Sequence, residues 1–116
     1  DLHYELNGSL AWFTITQDMM KNAKASKTDV DGFSDLVRSI QGVEVSLMIF
    51  EQNEKSCRIN FRSKGNYTVN DIARTMGGGG HAFAAGAVVE GNLLYVIEKA
   101  VSASIESIKQ KMNGSL

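Results

Sequence analysis

Apolar and polar residues follow two rhythms along this chain, the two-residue alternation of strands and the roughly 3.6-residue repeat of helices. The opening runs, Leu2 to Leu6 and Leu10 to Thr16, are strand-like and flank Asn7-Gly8-Ser9, a turn signal that predicts a hairpin. Thr16 is placed to cap a short helix over 17–25, and the polar stretch 26–31 reads as a loop. Phe33, Leu36, Val37 and Ile40 then follow the spacing of an amphipathic helix, with Asp31 as its cap and Gly42 as its end. Val43 to Phe50 is apolar on both faces, as in a buried strand. After a polar turn over 51–55, the run from Ser56 sends Cys57, Ile59 and Phe61 to one face and Arg58, Asn60 and Arg62 to the other. These two strands most simply pair antiparallel.

Downstream, Thr68-Val69-Asn70-Asp71 has the capping-box pattern, and Val69, Ile72, Ala73 and Met76 make a short apolar stripe that stops at Gly77. His81 to Ala85 reads as one helical turn and Gly86 to Val89 as a last short strand. Leu93, Ile97, Ala100, Val101, Ile105, Ile108 and Met112 form the longest stripe, predicting a terminal helix that begins near Asn92. Trp12, Tyr95 and the phenylalanines read as core, although Phe83, beside the glycines, could stack on a base. The expected fold is α/β (α+β): one mixed β-sheet of about five strands with helices packed against it.

Composition narrows the function classes. At 116 residues the chain has the length of one domain, and its net charge of -1 excludes a strongly basic nucleic-acid coat while allowing a local basic pocket. Cys57 is the sole cysteine, so no internal disulfide forms. No apolar run reaches the roughly 20 residues of a membrane span, and no signal sequence opens the chain, so the expected location is cytoplasmic. A start at Asp1 rather than Met suggests a piece of a longer protein.

The stretch least explained by packing is Gly77-Gly78-Gly79-Gly80-His81, followed by Ala82, Phe83, Ala84, Ala85 and Gly86. Four adjacent glycines carry a backbone-entropy cost, usually offset by close approach of the main chain to a ligand. Successive N–H groups turned toward an anion, at a nest or helix N-terminus, are one such arrangement. His81 would add a donor to phosphate. The dinucleotide and Walker patterns do not apply, because the run follows a helix and lacks the Lys-Ser/Thr pair. His3, His81 and Cys57 lack metal-ligand spacing, and no nucleophilic triad is present. Arg62 is the best cationic candidate, because its planar fork suits phosphate; Arg58 is a second, weaker one, and Lys64 reads as a solvated strand end.

Taken together, Gly-Val-Glu-Val-Ser-Leu-Met from Gly42, Phe61-Arg62-Ser63-Lys64-Gly65 and GGGGHAFAAG ending at Gly86 resemble the DHH-associated C-terminal domain of DHH-family phosphoesterases. The resemblance covers most of the chain. It implies a substrate-binding domain whose contacts are Arg62, Ser63, the backbone of Gly78, Gly79 and Gly80, and His81, with no catalytic or metal-binding residue in this chain. It further implies an N-terminal domain in the same polypeptide that carries the Asp-His-His signature and two manganese ions. The implied reaction is hydrolysis of short oligonucleotides or 3′-phosphoadenosine 5′-phosphate. Alternatives are a cyclic dinucleotide phosphodiesterase, a RecJ-like single-strand exonuclease and a non-catalytic nucleic-acid-binding module.

Overall fold

The computed structural model describes residues 2–23 and 27–113, with backbone alone for 22, 23 and 27–31. Six strands, β1 (His3–Glu5), β2 (Leu10–Ile15), β3 (Val45–Asn53), β4 (Ser56–Ser63), β5 (Gly79–His81) and β6 (Ala84–Glu90), form one mixed sheet in the order β1-β2-β3-β4-β6-β5. Four helices accompany it: α1 (Gln17–Ala23), α2 (Lys27–Arg38), α3 (Asn70–Thr75) and α4 (Leu93–Met112). The expected hairpin is β1–β2, joined through a 3-10 turn at Leu6–Gly8, and β3–β4 pair antiparallel as expected. Among the described residues the one parallel pair is β2–β3, whose crossover carries α1 and α2.

Where expectation and structure part, the causes are local. Residues 27–31, read as loop, open α2, so Asp31 lies inside the helix instead of capping it. Gly32, costing about 1 kcal/mol in a helix interior, hides that first turn in the sequence. By contrast, Thr16 does cap α1, its Oγ1 accepting from the Met19 N–H at 3.0 Å. Asn92 likewise caps α4 by accepting from the Tyr95 N–H at 2.9 Å. Among the aromatics, Phe13 and Phe61 are core, whereas Phe33, Phe83 and Tyr95 are exposed and Trp12 is half-buried. Tyr95 lies in the first turn of α4 with its ring beside Gly91, away from the sheet.

The strands' alternation sorts the core onto two faces. On one, Leu47, Ile49, Ile59, Phe61, Ala85 and Ala87 pack against α3 and α4 through Ile72, Ala73, Val96, Ala100 and Ile108. On the other, Ala11, Phe13, Ile15 and Met48 pack under Val37 and Val43. Phe33 of α2 meets Phe13 edge-on at 4.8 Å. That second helical layer covers β2 and β3, and beyond it the exposed or half-buried residues of β4, β6 and β5 take over.

The expected capping box at Thr68 does not form. Val69 is the residue before α3, and the Thr68 hydroxyl donates to the Asp71 carboxylate at 3.0 Å instead of capping the backbone. Asp71 is drawn toward Lys111 of α4, whose ammonium donates to it at 2.9 Å and to the Thr68 carbonyl at 2.8 Å. Burial pushes the Asp71 carboxyl up, but hydrogen bonds from Lys111 and Thr68 and the Lys111 charge outweigh it, leaving the group below its ordinary 3.8. A lowered folded-state value means that this pair's contribution is complete above 3.8 and is lost as pH falls through the lowered value. Lys111→Met should therefore cost about 0.5–1 kcal/mol at neutral pH, a discounted figure for a partly exposed pair. Urea unfolding at pH 7 and pH 3 checks this: the gap to wild type should narrow in acid.

Candidate functional site

Register across β3, β4, β6 and β5 lines up three rows of residues on one face, covered at the β3 end, where Ser46 and Met48 are buried, and open from β4 onward. In the first, Ser46, Arg62, Ala84 and His81 face one another across β3, β4, β6 and β5. The second runs Met48, Asn60, Gly86, Gly79, and the third Phe50, Arg58, Val88. Two strand spacings put the Cα atoms of Arg62 and His81 about 10 Å apart, with only the methyl of Ala84 between them. A guanidinium and an imidazole reaching toward each other from those positions can grip one phosphate. The sheet therefore unites Arg62 and His81, which lie far apart in sequence.

Arg62 is half-buried, and its Nη1 donates to the Phe61 carbonyl at 3.1 Å; among the described residues the other donors of its fork have no partner. His81 is exposed, and no side-chain hydrogen bond ties it down among the described residues. Neither His81 nor Arg62 has a carboxylate opposite it in its row.

The glycine run does not sit at a helix N-terminus, one of the two anion cradles expected for it. It follows the C-terminal end of α3, where the Gly77 N–H donates to the Arg74 carbonyl at 3.1 Å and the Gly78 N–H to the Ala73 carbonyl at 2.8 Å. Two of the four N–H groups thus finish a helix, with Gly77 in the left-handed region at φ +84°. The residues read as a helical turn, His81 to Ala85, are instead a hairpin: β5, a turn at Ala82 and Phe83, and β6. Isolated small-residue segments favour neither state, and pairing with β6 decides it. At Gly78 a Cβ would lie 2.1 Å from the Gly86 carbonyl oxygen and 2.7 Å from the Ala87 Cα. At Gly80 (φ +142°) it would lie 2.7 Å from the Ala85 Cα. Gly79 differs from the other three, since it has no positive φ and nothing within 4 Å of a Cβ. Neither packing nor backbone shape accounts for glycine there. It sits on the edge strand, where half of the main-chain polar groups point outward.

Ser63 is separated from this group. Strand β4 continues through it, so its side chain alternates to the opposite face and is buried. The Ser63 hydroxyl accepts from the Gly65 N–H at 3.1 Å, and its own N–H donates to the Phe83 carbonyl at 2.9 Å. Together with the Val69 N–H, which donates to the Ala82 carbonyl at 2.7 Å, it holds the β5–β6 turn in place beside the site. Phe83 projects from that turn, 44% exposed. Lys64 leaves the site altogether, its ammonium donating to the Ile40 carbonyl at 2.9 Å beyond the end of α2. Asn60 was not singled out in the sequence, although the same two-residue period that joins Arg58 to Arg62 places it between them.

Among the described residues, no group of three or more His, Cys, Asp and Glu side chains could hold a metal ion, so those residues do not fit a manganese pair. The one thiol, Cys57, is buried, and that burial, with Glu51 nearby, pushes it above its ordinary value and away from reactivity. No helix among the described residues is long and apolar enough to cross a membrane.

Known proteins resemble this arrangement at two levels. In sequence, the chain is 30% identical over 98 residues to the bifunctional oligoribonuclease and PAP phosphatase NrnA of Thermus thermophilus, covering 84% of this chain and 29% of that protein. It is 32% identical over 87 residues to the protein of the same name from Mycoplasma genitalium, covering 75% of this chain and 27% of that one. In structure, an exopolyphosphatase-related protein from Bacteroides fragilis superposes with a TM-score of 0.71 at 28% identity, over 89% of this chain and 29% of its own. The chain thus spans under a third of the length of these relatives. Residues 9–113, which take in the three rows, the glycine run and α4, match the DHHA1 domain, and the chain belongs to that family.

Proposed function

We propose that this chain is the substrate-holding domain of a phosphoesterase that hydrolyses short oligonucleotides or 3′-phosphoadenosine 5′-phosphate. The observation that carries the reading is the row Arg62–Ala84–His81, which sets a planar cation and an imidazole on a bare face with only a methyl between them. Arg62 pairs bidentately with a phosphate, His81 donates from the opposite side, and the outward main chain of Gly79 and Gly80 lets the ligand approach closely. Gly78 serves indirectly, by letting β5 press against β6, and Ser63 by fixing the turn that carries Phe83. What the domain contributes is orientation: a phosphate held here is presented to a catalytic domain elsewhere in the polypeptide. The two manganese ions belong to that domain, and no residue here is assigned to them. The names of the two NrnA relatives support the substrate class.

Titrating the isotope-labelled chain with the dinucleotide pApA, with adenosine 3′,5′-bisphosphate and with long single-stranded RNA tests this by amide shifts. Saturable binding of the two small ligands, with shifts centred on Gly79, Gly80, His81 and Arg62, is expected. Binding only to long RNA, falling steeply with salt, would instead make the chain a general nucleic-acid module.

A further inference from the structure

The third row of the bare face has no part in gripping a single phosphate. Arg58 is exposed there, on the same face of β4 as Arg62 and two pleats away, which is about 14 Å along the strand. Among the described residues its guanidinium has neither an ion-pair partner nor a hydrogen-bond acceptor. It lines a concavity of about 480 Å³ together with its register neighbour Val88, Ala87, Gly86 and the glycines 77 to 79. That volume suits a small-molecule-sized ligand, and the register row between the two arginines, at Gly86 and Gly79, carries no side chain. Val88, 58% exposed beside Arg58, offers an apolar surface to a base. Charge also marks the end of this track. None of the three rows contains a carboxylate; past Arg58, the next row on this face holds Glu90, opposite Ser56.

Resting on the reading above, we propose that Arg58 binds a second phosphate of an oligonucleotide whose first phosphate is held by Arg62 and His81, so that the face takes linked nucleotides along β4. With both side chains standing straight out from β4 their heads are about 14 Å apart, wider than the two phosphates of a single nucleoside, whereas an oligonucleotide spans that distance. Asn60, midway between, faces the linking backbone.

Binding by this chain is measured with 5′-AMP, adenosine 3′,5′-bisphosphate and the trinucleotide pApApA, for wild type, Arg58→Ala, Arg58→Lys and Arg62→Ala. Arg58→Ala should weaken pApApA roughly five- to tenfold and leave 5′-AMP and the bisphosphate unchanged, with Arg58→Lys recovering part of the loss. Arg62→Ala should weaken all three. Unchanged pApApA binding in Arg58→Ala, or an equal loss for all three ligands, overturns the role of Arg58 while leaving Arg62 in place. A loss for the bisphosphate equal to that for pApApA, with 5′-AMP spared, overturns the oligonucleotide assignment. Failure of wild type to bind any of the three removes this inference together with the reading it rests on.

Discussion

Gly78→Ala should lower the stability of the chain by about 3 kcal/mol, and its melting temperature by roughly 10 °C, whereas Gly79→Ala should leave both nearly unchanged and weaken nucleotide binding. The contrast comes from what surrounds each Cβ position. At Gly78 the nearest atoms are main chain, the Gly86 carbonyl oxygen at 2.1 Å and the Ala87 Cα at 2.7 Å, so no rotamer change makes room. Relief would require β5 to move off β6, breaking the hairpin that carries His81. At Gly79 nothing stands within 4 Å and φ is ordinary, so a methyl costs the fold nothing. That methyl would, however, stand on the floor between Arg62, His81 and Arg58. Thermal denaturation and titration of 5′-AMP on the same two samples separate the effects. A Gly79→Ala variant that binds as wild type does would mean that the open floor has no role in binding.

Arg62→Ala and His81→Ala should each reduce 5′-AMP and pApA affinity by tenfold or more with the fold intact. Hydrogen bonds to charged groups are worth about 1.5–3 kcal/mol, which corresponds to roughly 10- to 100-fold in affinity. The Arg62 loss should be the larger, because a bidentate, permanently charged fork is replaced, and Arg62→Lys should restore only part of it. Stability should change little, since among the described residues the Arg62 side chain makes one hydrogen bond, to the adjacent Phe61 carbonyl, and His81 is exposed. The double variant should lose less than the product of the single losses, because both groups act on one phosphate and removing either loosens its hold. Full affinity in both single variants would refute the site.

Several features of the protein are written in its sequence, because they depend on neighbours a few residues away. The two-residue period of β4 places Arg58, Asn60 and Arg62 on one face and Cys57, Ile59 and Phe61 in the core. The stripe ending at Met76 and the long stripe to Met112 mark α3 and α4, and Asn92 marks where α4 begins. Motif likeness alone pointed to the DHHA1 domain. Tertiary structure decided the rest. The parallel pairing of β2 with β3, and the fact that helical cover ends over β3, follow from long-range packing that no local period encodes. Whether 81–85 is a helical turn or part of a hairpin was settled by β6 pairing with β4, since these small residues have little preference of their own. The same pairing brought residue 81 level with residue 62. Ser63 shows the limit most clearly: extending β4 by two residues past Phe61 turned its side chain into the core, while Arg62 beside it stayed on the open face, because in a strand each further residue reverses the side.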